Sequence, residues 1–452
     1  MSRKRPSGAA RLYWTAWVWK EARRARRSDR VGGDEQSRQL HRLVALAYNQ
    51  TTHYRRTMDD TGLMPADVRD LADLAHFPIT DRAQLQAEPG AFRPASIDGD
   101  SLVVHSSGST GQPVAVRYDE RALLRNMAVS RREWSPVFQA LGDGSAPRQL
   151  TVQPPQPSRF DRIRDFCHQR AWVPPRLVPE RQAVSVFDPL EQVIEVMNRE
   201  RPDLLVALGS FVDLLFQTIH DQRERTHLPR AVSYFSDHLG ERTRRLIQEE
   251  YGIPVFGTYT AVESLKIGYE CEAHAGFHLH PDMSSVRIVG EGGQDARDGE
   301  LGEVVLTNLF NRGTILINYR LGDRGRLTRE PCPCGRASPR VTHLEGRVDE
   351  VLTLPNGRRL PAFALLYPLF ERDGAPNVRQ YQAVQQAEDR LDLRVVPAQH
   401  ADWPALAADL EARARKQLGN GVTVAVRHVD LIPPGPTGKV SRFVALNADR
   451  RP

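Results

Sequence analysis

Apolar residues follow helical spacing early in the chain and give way to short apolar runs further on. Leu40, Leu43, Val44 and Ala47 share one face of a helix predicted across residues 37–54. Pro65 opens a second, short helix, and Asp81 stands where a third would be capped. The run 102–104 reads as a short strand that leads into a loop of serine and glycine. Runs at 150–152, 204–207, 232–235 and 253–256 read as further strands, with helical segments such as 191–199 and 241–250 between them. This alternation predicts an α/β core with a mostly parallel sheet. Residues 299–309 alternate differently and predict a small β-subdomain.

The pattern changes near residue 349. A hairpin over 351–354 turns at Asn356-Gly357, and strands follow at 378–385, 391–396 and 422–429, with a helix over 403–418 opened by Pro404. Three parts result: a basic, aromatic segment over 1–36, a core over 37–348 and a small α+β unit over 349–452.

Composition narrows the class. Hydrophobic residues at 40% and charged residues at 26% of 452 belong to a folded globular protein, not a disordered one. No apolar run is long enough for a membrane span, and the N-terminus lacks a signal-peptide core. Four cysteines are too few for a disulfide framework, which points to a reducing cytoplasm.

The net charge of +6 is unevenly placed. Residues 1–30 hold ten Lys or Arg against two acids, a surplus of +8, so the remainder sums to −2. A nucleic-acid groove through the fold is therefore not expected. Trp14 and Trp17 share a face of the N-terminal helix, which reads as docked on the body, with a weak surface or partner contact as the rival reading. Only five of the 62 basic residues are lysines, so a lysine inside a motif is informative.

Four motifs carry chemistry. Ser106-Ser107-Gly108-Ser109-Thr110-Gly111 follows a strand and can turn amides and hydroxyls toward an anion. In Tyr319-Arg320-Leu321-Gly322-Asp323 an acid closes a turn and can accept both hydroxyls of a ribose. Gly346-Arg347-Val348-Asp349 falls on the composition boundary and suits a hinge. Pro436-Thr437-Gly438-Lys439 presents one lysine on a glycine-rich loop, a point charge for a phosphate. Taken singly, each could be an ordinary loop or turn.

In this order the four resemble the adenylate-forming superfamily of acyl-CoA synthetases and adenylation domains. The chain is most similar to the phenylacetate–CoA ligase branch and the capsule-biosynthesis proteins related to it, through His53-Tyr54, Phe77-Pro78-Ile79-Thr80, Glu270-Cys271 and Cys332-Pro333-Cys334-Gly335. The resemblance implies a large adenylate-forming domain and a mobile C-terminal lid. It also implies that Ser106–Gly111 hold the ATP phosphates, that Tyr259 and Thr260 lie near the base, and that Glu263 holds Mg²⁺. Asp323 would take the ribose, Arg320 and Arg347 would add nucleotide contacts, Asp349 would be the hinge and Lys439 the catalytic cation. The acid would lie by Ser236, Asp237, His238 and Gly240. The segment Tyr259-Thr260-Ala261-Val262-Glu263 departs from the family's Tyr-Gly-x-Thr-Glu, and Ser236-Asp237-His238 replaces its usual turn by the base.

The cysteines suggest a second site. Cys271, His274, Cys332 and Cys334 make a closed set for structural zinc, with His278 or His280 as rival fourth ligands. Cys167 has no partner pattern and reads as a small buried residue. The expected activity is ATP-dependent adenylation of a small carboxylic acid, then transfer to coenzyme A. An amine or carrier-protein acceptor, or a degenerate scaffold without turnover, are the alternatives, and a homodimer is compatible with any of them.

Overall fold

The computed structural model describes residues 7–27, 33–97, 99–106, 113–142, 146–155, 158–174, 178–222, 226–348, 350–372, 375, 377–419 and 421–446. Its largest element is an eleven-stranded sheet. Glu180–Ser185, Arg148–Gln153, Leu204–Leu208, Ala231–Phe235 and Val255–Tyr259 lie side by side in that order, all parallel. The middle strand explains the continuous apolar runs. Leu204 and Val206 face helix Ser135–Leu141, while Leu205 and Ala207 face helices Leu190–Glu200 and Gly209–Gln222, so both faces are covered.

Beyond Tyr259 the chain turns, and Gly268–Glu270 pairs antiparallel with the last parallel strand. Phe277–Leu279, Arg340–Arg347, Tyr319–Thr328, Leu301–Asn308 and Ser284–Val289 extend the same sheet, all antiparallel. The β-rich part expected around residue 300 is thus joined to the parallel strands by continuous hydrogen bonding.

Three elements differ from the sequence expectation. The helix over 37–54 is two helices, Gly33–Gln50 and Thr52–Thr61. Thr51 separates them because it is extended and its hydroxyl accepts the Tyr54 N–H, an N-cap. The strand over 102–104 lies outside the large sheet, in an antiparallel pair of Ser101–His105 with Ala115–Asp119. The segment 241–250 is α-helical over Glu241–Arg245 and π-helical over Leu246–Glu250.

The C-terminal part has its own four-stranded sheet, ordered Thr423–His428, Arg390–Pro397, Val378–Ala387, Phe443–Val444. Helix Trp403–Leu418 covers it through Leu406, Leu410 and Ala414, in a core separate from the large sheet's.

The N-terminal helix Gly8–Arg27 is docked. Trp14 and Trp17 meet edge to face at 5.7 Å and pack on the core beside Phe310. Glu21 is buried in an ion pair with Arg125. Arg125 and Arg132 also hold Asp282, at 3.3 and 2.7 Å. Burial alone would raise the Asp282 carboxyl, but Arg132 and Arg125 hold it down to about 2. Glu21→Ala leaves buried positive charge undercompensated and should cost about 3 kcal/mol in urea denaturation. Arg24→Ala, which breaks the half-exposed pair with Glu35, should cost about 0.5 kcal/mol or less in the same measurement. Equal effects would show that the helix is not held by its buried charge.

Candidate active site

Parallel sheets place ligands at the carboxyl ends of their strands. Strand Ala231–Phe235 ends there in a turn whose first residue, Ser236, has φ 77°. Asp237 fixes that turn to helix Gly209–Gln222, accepting from the Gly209 N–H at 2.6 Å and the Ser210 hydroxyl at 2.5 Å. Any Cβ at position 209 would sit 2.6 Å from the Asp237 carbonyl, so the close approach requires glycine. Gly240 donates its N–H to Asp213 at 3.1 Å, and His238 keeps an exposed face beside it.

Lys439 reaches this turn from the C-terminal part. Its Nζ donates to the Ser236 carbonyl at 2.8 Å. Gly438 has φ +80°, and a Cβ there would meet Val186 Cγ1 at 2.4 Å, so the loop lies flat against the end of the sheet. Val440 N–H points to the Ser210 hydroxyl at 3.4 Å. Burial lowers the Lys439 pKa, Asp237 and Asp323 oppose that, and Arg159 and Arg347 reinforce it. The ammonium therefore stands in a partly desolvated field of mixed charge.

On the other side, Tyr259 closes the last parallel strand and donates its hydroxyl to Asp323 at 2.8 Å. Asp323 lies opposite Arg347 in the strand register, with an ion pair at 3.8 Å. Glu263 is buried, accepts from the Tyr319 hydroxyl at 3.3 Å, and is raised by burial. Its carbonyl accepts from Asn308 at 3.0 Å. Thr260 follows Tyr259, its hydroxyl buried without a hydrogen-bond partner.

Two of the expected site residues need separate mention. Arg320 pairs with Glu303 on the neighbouring strand at 2.6 Å, a half-exposed contact. Ser106 accepts the Val114 N–H at 2.8 Å. Residues 107–111 of that loop and the hinge residue Asp349 lie outside the described residues.

Three residues carry functional geometry that the sequence reading passed over. Tyr319 holds Glu263. Arg159 opens helix Arg159–Arg170 and points at the Ser236 hydroxyl at 3.5 Å. Arg442 bridges Asp213 at 2.7 Å and Glu371 at 2.9 Å. The last was within reach, since it stands three residues after the singled-out lysine.

The cysteine cluster corrects one expectation. Cys271, Cys332 and Cys334 converge with His278, not His274, their ligand atoms all within 4.8 Å of one another. His274 has φ 48° in a tight turn and lays its ring against Phe256, which aims it elsewhere. His280 is fully buried against Tyr269, outside the set. Cys271 and Cys332 sulfurs are 3.7 Å apart, far longer than a disulfide of about 2.05 Å. That spacing is the edge of a tetrahedron with metal–sulfur bonds of about 2.3 Å. His278 Nε2 is 3.3 Å from Cys334 Sγ, and its Nδ1 meets the Ser338 hydroxyl at 2.9 Å, which fixes the ring as a second-shell partner does. The donor set fits zinc. Cys167, by contrast, is buried with its thiol on the Leu123 carbonyl at 3.4 Å.

No model of a protein family matches the chain. Phenylacetate–coenzyme A ligase of Thermus thermophilus is 26% identical over 440 residues, covering 91% of this chain and 96% of the relative. The chain is thus similar, over nearly its whole length, to phenylacetate–coenzyme A ligases. Among solved structures, 2-hydroxyisobutyryl-CoA ligase in the postadenylation state matches with a TM-score of 0.73 and 17% identity, covering 91% of this chain and 89% of that one. The same ligase in its thioesterification state, solved with 2-HIB-AMP and CoA, scores 0.58 at 17% identity, over 92% and 90%. As a whole the chain superposes better on the former than on the latter. No helix among the described residues is long and apolar enough to cross a membrane.

Gly322 holds the Asp323–Arg347 geometry. It has φ +83°, and a Cβ would meet Arg347 Nη2 at 2.8 Å. Gly322→Ala should lower stability by about 1–3 kcal/mol in chemical denaturation. An unchanged midpoint would mean that the turn relaxes freely.

Proposed function

We propose that the protein activates a small carboxylic acid with ATP and passes the acyl group to coenzyme A. The observation that carries the reading is Lys439, a cation that the C-terminal part delivers to the carbonyl of Ser236 beside Asp237. In the first step a carboxylate oxygen attacks the α-phosphorus of ATP and pyrophosphate departs with the bonding pair. Attacker and phosphate are both anionic, so the step depends on offsetting charge and on position. Lys439 supplies one positive charge between them. Glu263, held by Tyr319, would hold Mg²⁺, which would supply the rest of the offsetting charge. Asp323 takes the ribose hydroxyls, Tyr259 and Thr260 flank the base, and the loop from Ser106 to Gly111 takes the outer phosphates.

In the second step the thiol sulfur of coenzyme A attacks the acyl carbon, AMP leaves, and the thiol proton passes to solvent. The C-terminal part turns about Asp349 between the two steps, which withdraws Lys439 after its work. No disulfide joins the four cysteines, which suits a cytoplasmic setting. A structural zinc on Cys271, His278, Cys332 and Cys334 ties strand-connecting turns together, with no open position for catalysis.

Acid-dependent pyrophosphate release should fall by about 10²–10³-fold in Lys439→Ala, while transfer from a supplied acyl-adenylate to coenzyme A changes little. An unchanged release rate would sink the assignment. Purified protein should carry about one zinc per chain by elemental analysis. His278→Ala should lose that zinc and His274→Ala should keep it, whereas the opposite pattern would overturn the ligand set.

A further inference from the structure

Arg159 is the side chain that the reaction above leaves without work. It stands half-buried at the start of helix Arg159–Arg170, with its guanidinium over the ring of Phe160 at 4.8 Å. Its hydrogen bonding among the described residues is limited to the Ser236 hydroxyl, at a marginal 3.5 Å. It forms no ion pair, although Glu263 contributes to its field from a distance. The arginines nearest the other charged groups of this crevice are held more firmly: Arg442 has two carboxylates, and Arg244 has Glu270 and Tyr234. A guanidinium offers five donors in a planar fork matched to a carboxylate. One weak contact leaves that fork open.

Its position gives the class of occupant. Lys439 and Arg159 approach the same residue, one at the Ser236 carbonyl and the other at its hydroxyl, and the charge of Arg159 helps to lower the Lys439 pKa. Two cations converge on the place where the acid is to react, and the reacting carboxylate needs only one. The wall beside Arg159 is apolar, with Phe160 against Phe235 at 5.2 Å. We infer that Arg159 selects a short acid carrying a second anionic group, a dicarboxylic acid in the simplest case, with one carboxylate on Lys439 and the other on the Arg159 fork. This rests on the adenylation proposed above and adds the substrate class to it.

The test is pyrophosphate exchange with malonate, succinate and glutarate beside propionate, butyrate and phenylacetate. The wild-type protein should prefer at least one dicarboxylate over its monocarboxylate counterpart by about 100-fold in kcat/KM, the value of a charge-assisted forked contact. Arg159→Leu should collapse that ratio toward one or reverse it, and Arg159→Lys should restore only part of it, because the ammonium keeps charge without the fork. A wild-type preference for monocarboxylates would overturn this inference and leave the adenylation reading standing. So would an Arg159→Leu variant that loses all acids equally and binds ATP more weakly, since the fork would then belong to the nucleotide. A wild-type protein with no exchange for any acid would overturn both readings. Thermal melting of each variant separates these results from failure to fold.

Discussion

One guanidinium between two carboxylates sets the arrangement on which the rest depends. Arg442 donates to Asp213 in helix Gly209–Gln222 and to Glu371 in the C-terminal part, and lies over Tyr381 at 5.2 Å. Glu371 also accepts the Glu241 N–H at 2.9 Å and the Tyr381 hydroxyl at 2.7 Å. Burial pushes Asp213 up to about 6 even with Arg442 beside it. Such a buried set gives little net stability, because desolvation offsets the attraction. Its effect is selection of one geometry. Lys439 stands three residues from Arg442, so the same set that seats the C-terminal part also aims the lysine at Ser236. A rotation of that part must break the charge set as a whole, which makes the two positions discrete.

The body supplies the matching constraint. Asp237 is committed to the end of helix Gly209–Gln222, and Ser236 accepts an unusual backbone conformation as a result. The strain presents the Ser236 carbonyl and hydroxyl in different directions, one to each cation. Across the crevice, the sheet changes from parallel to antiparallel at Tyr259, and this change brings Tyr259 and Asp323, 64 residues apart, within one hydrogen bond. Both walls of the crevice are thus built from strand ends of one sheet.

Much of this was legible in the residues. The parallel strands announce themselves because both faces are apolar, and the C-terminal unit does so through Asn356-Gly357 and Pro404. Lys439 stood out because lysine is rare here. What stayed hidden depends on long-range pairing. Thr51 splitting a helix is a local capping event that apolar periodicity does not register. The choice of His278 over His274 is set by strand pairing between Phe277–Leu279 and Arg340–Arg347, which carries the histidine toward Cys334, whereas spacing alone favoured the nearer ring. Arg159 does not stand out in a chain full of arginine, since its burial and weak partnering appear only in the fold, whereas Arg442 could have been found from its place beside Lys439. Arg320 pairs with Glu303 on the adjacent strand, a contact that the motif alone does not announce.

The docking of the N-terminal helix has a consequence for how the chain is made. Its anchor at Glu21 needs Arg125, and that arginine needs Asp282 to balance its charge. During synthesis at about 5–20 residues per second, the roughly 260 positions between Glu21 and Asp282 take on the order of 13–50 s. Throughout that interval the helix has left the ribosome with Trp14, Trp17 and Val18 uncovered and its basic residues unbalanced. A helix made well before its partners is therefore among the last elements to settle, and its dense positive charge keeps this apolar-faced segment apart from other nascent copies until the sheet is complete.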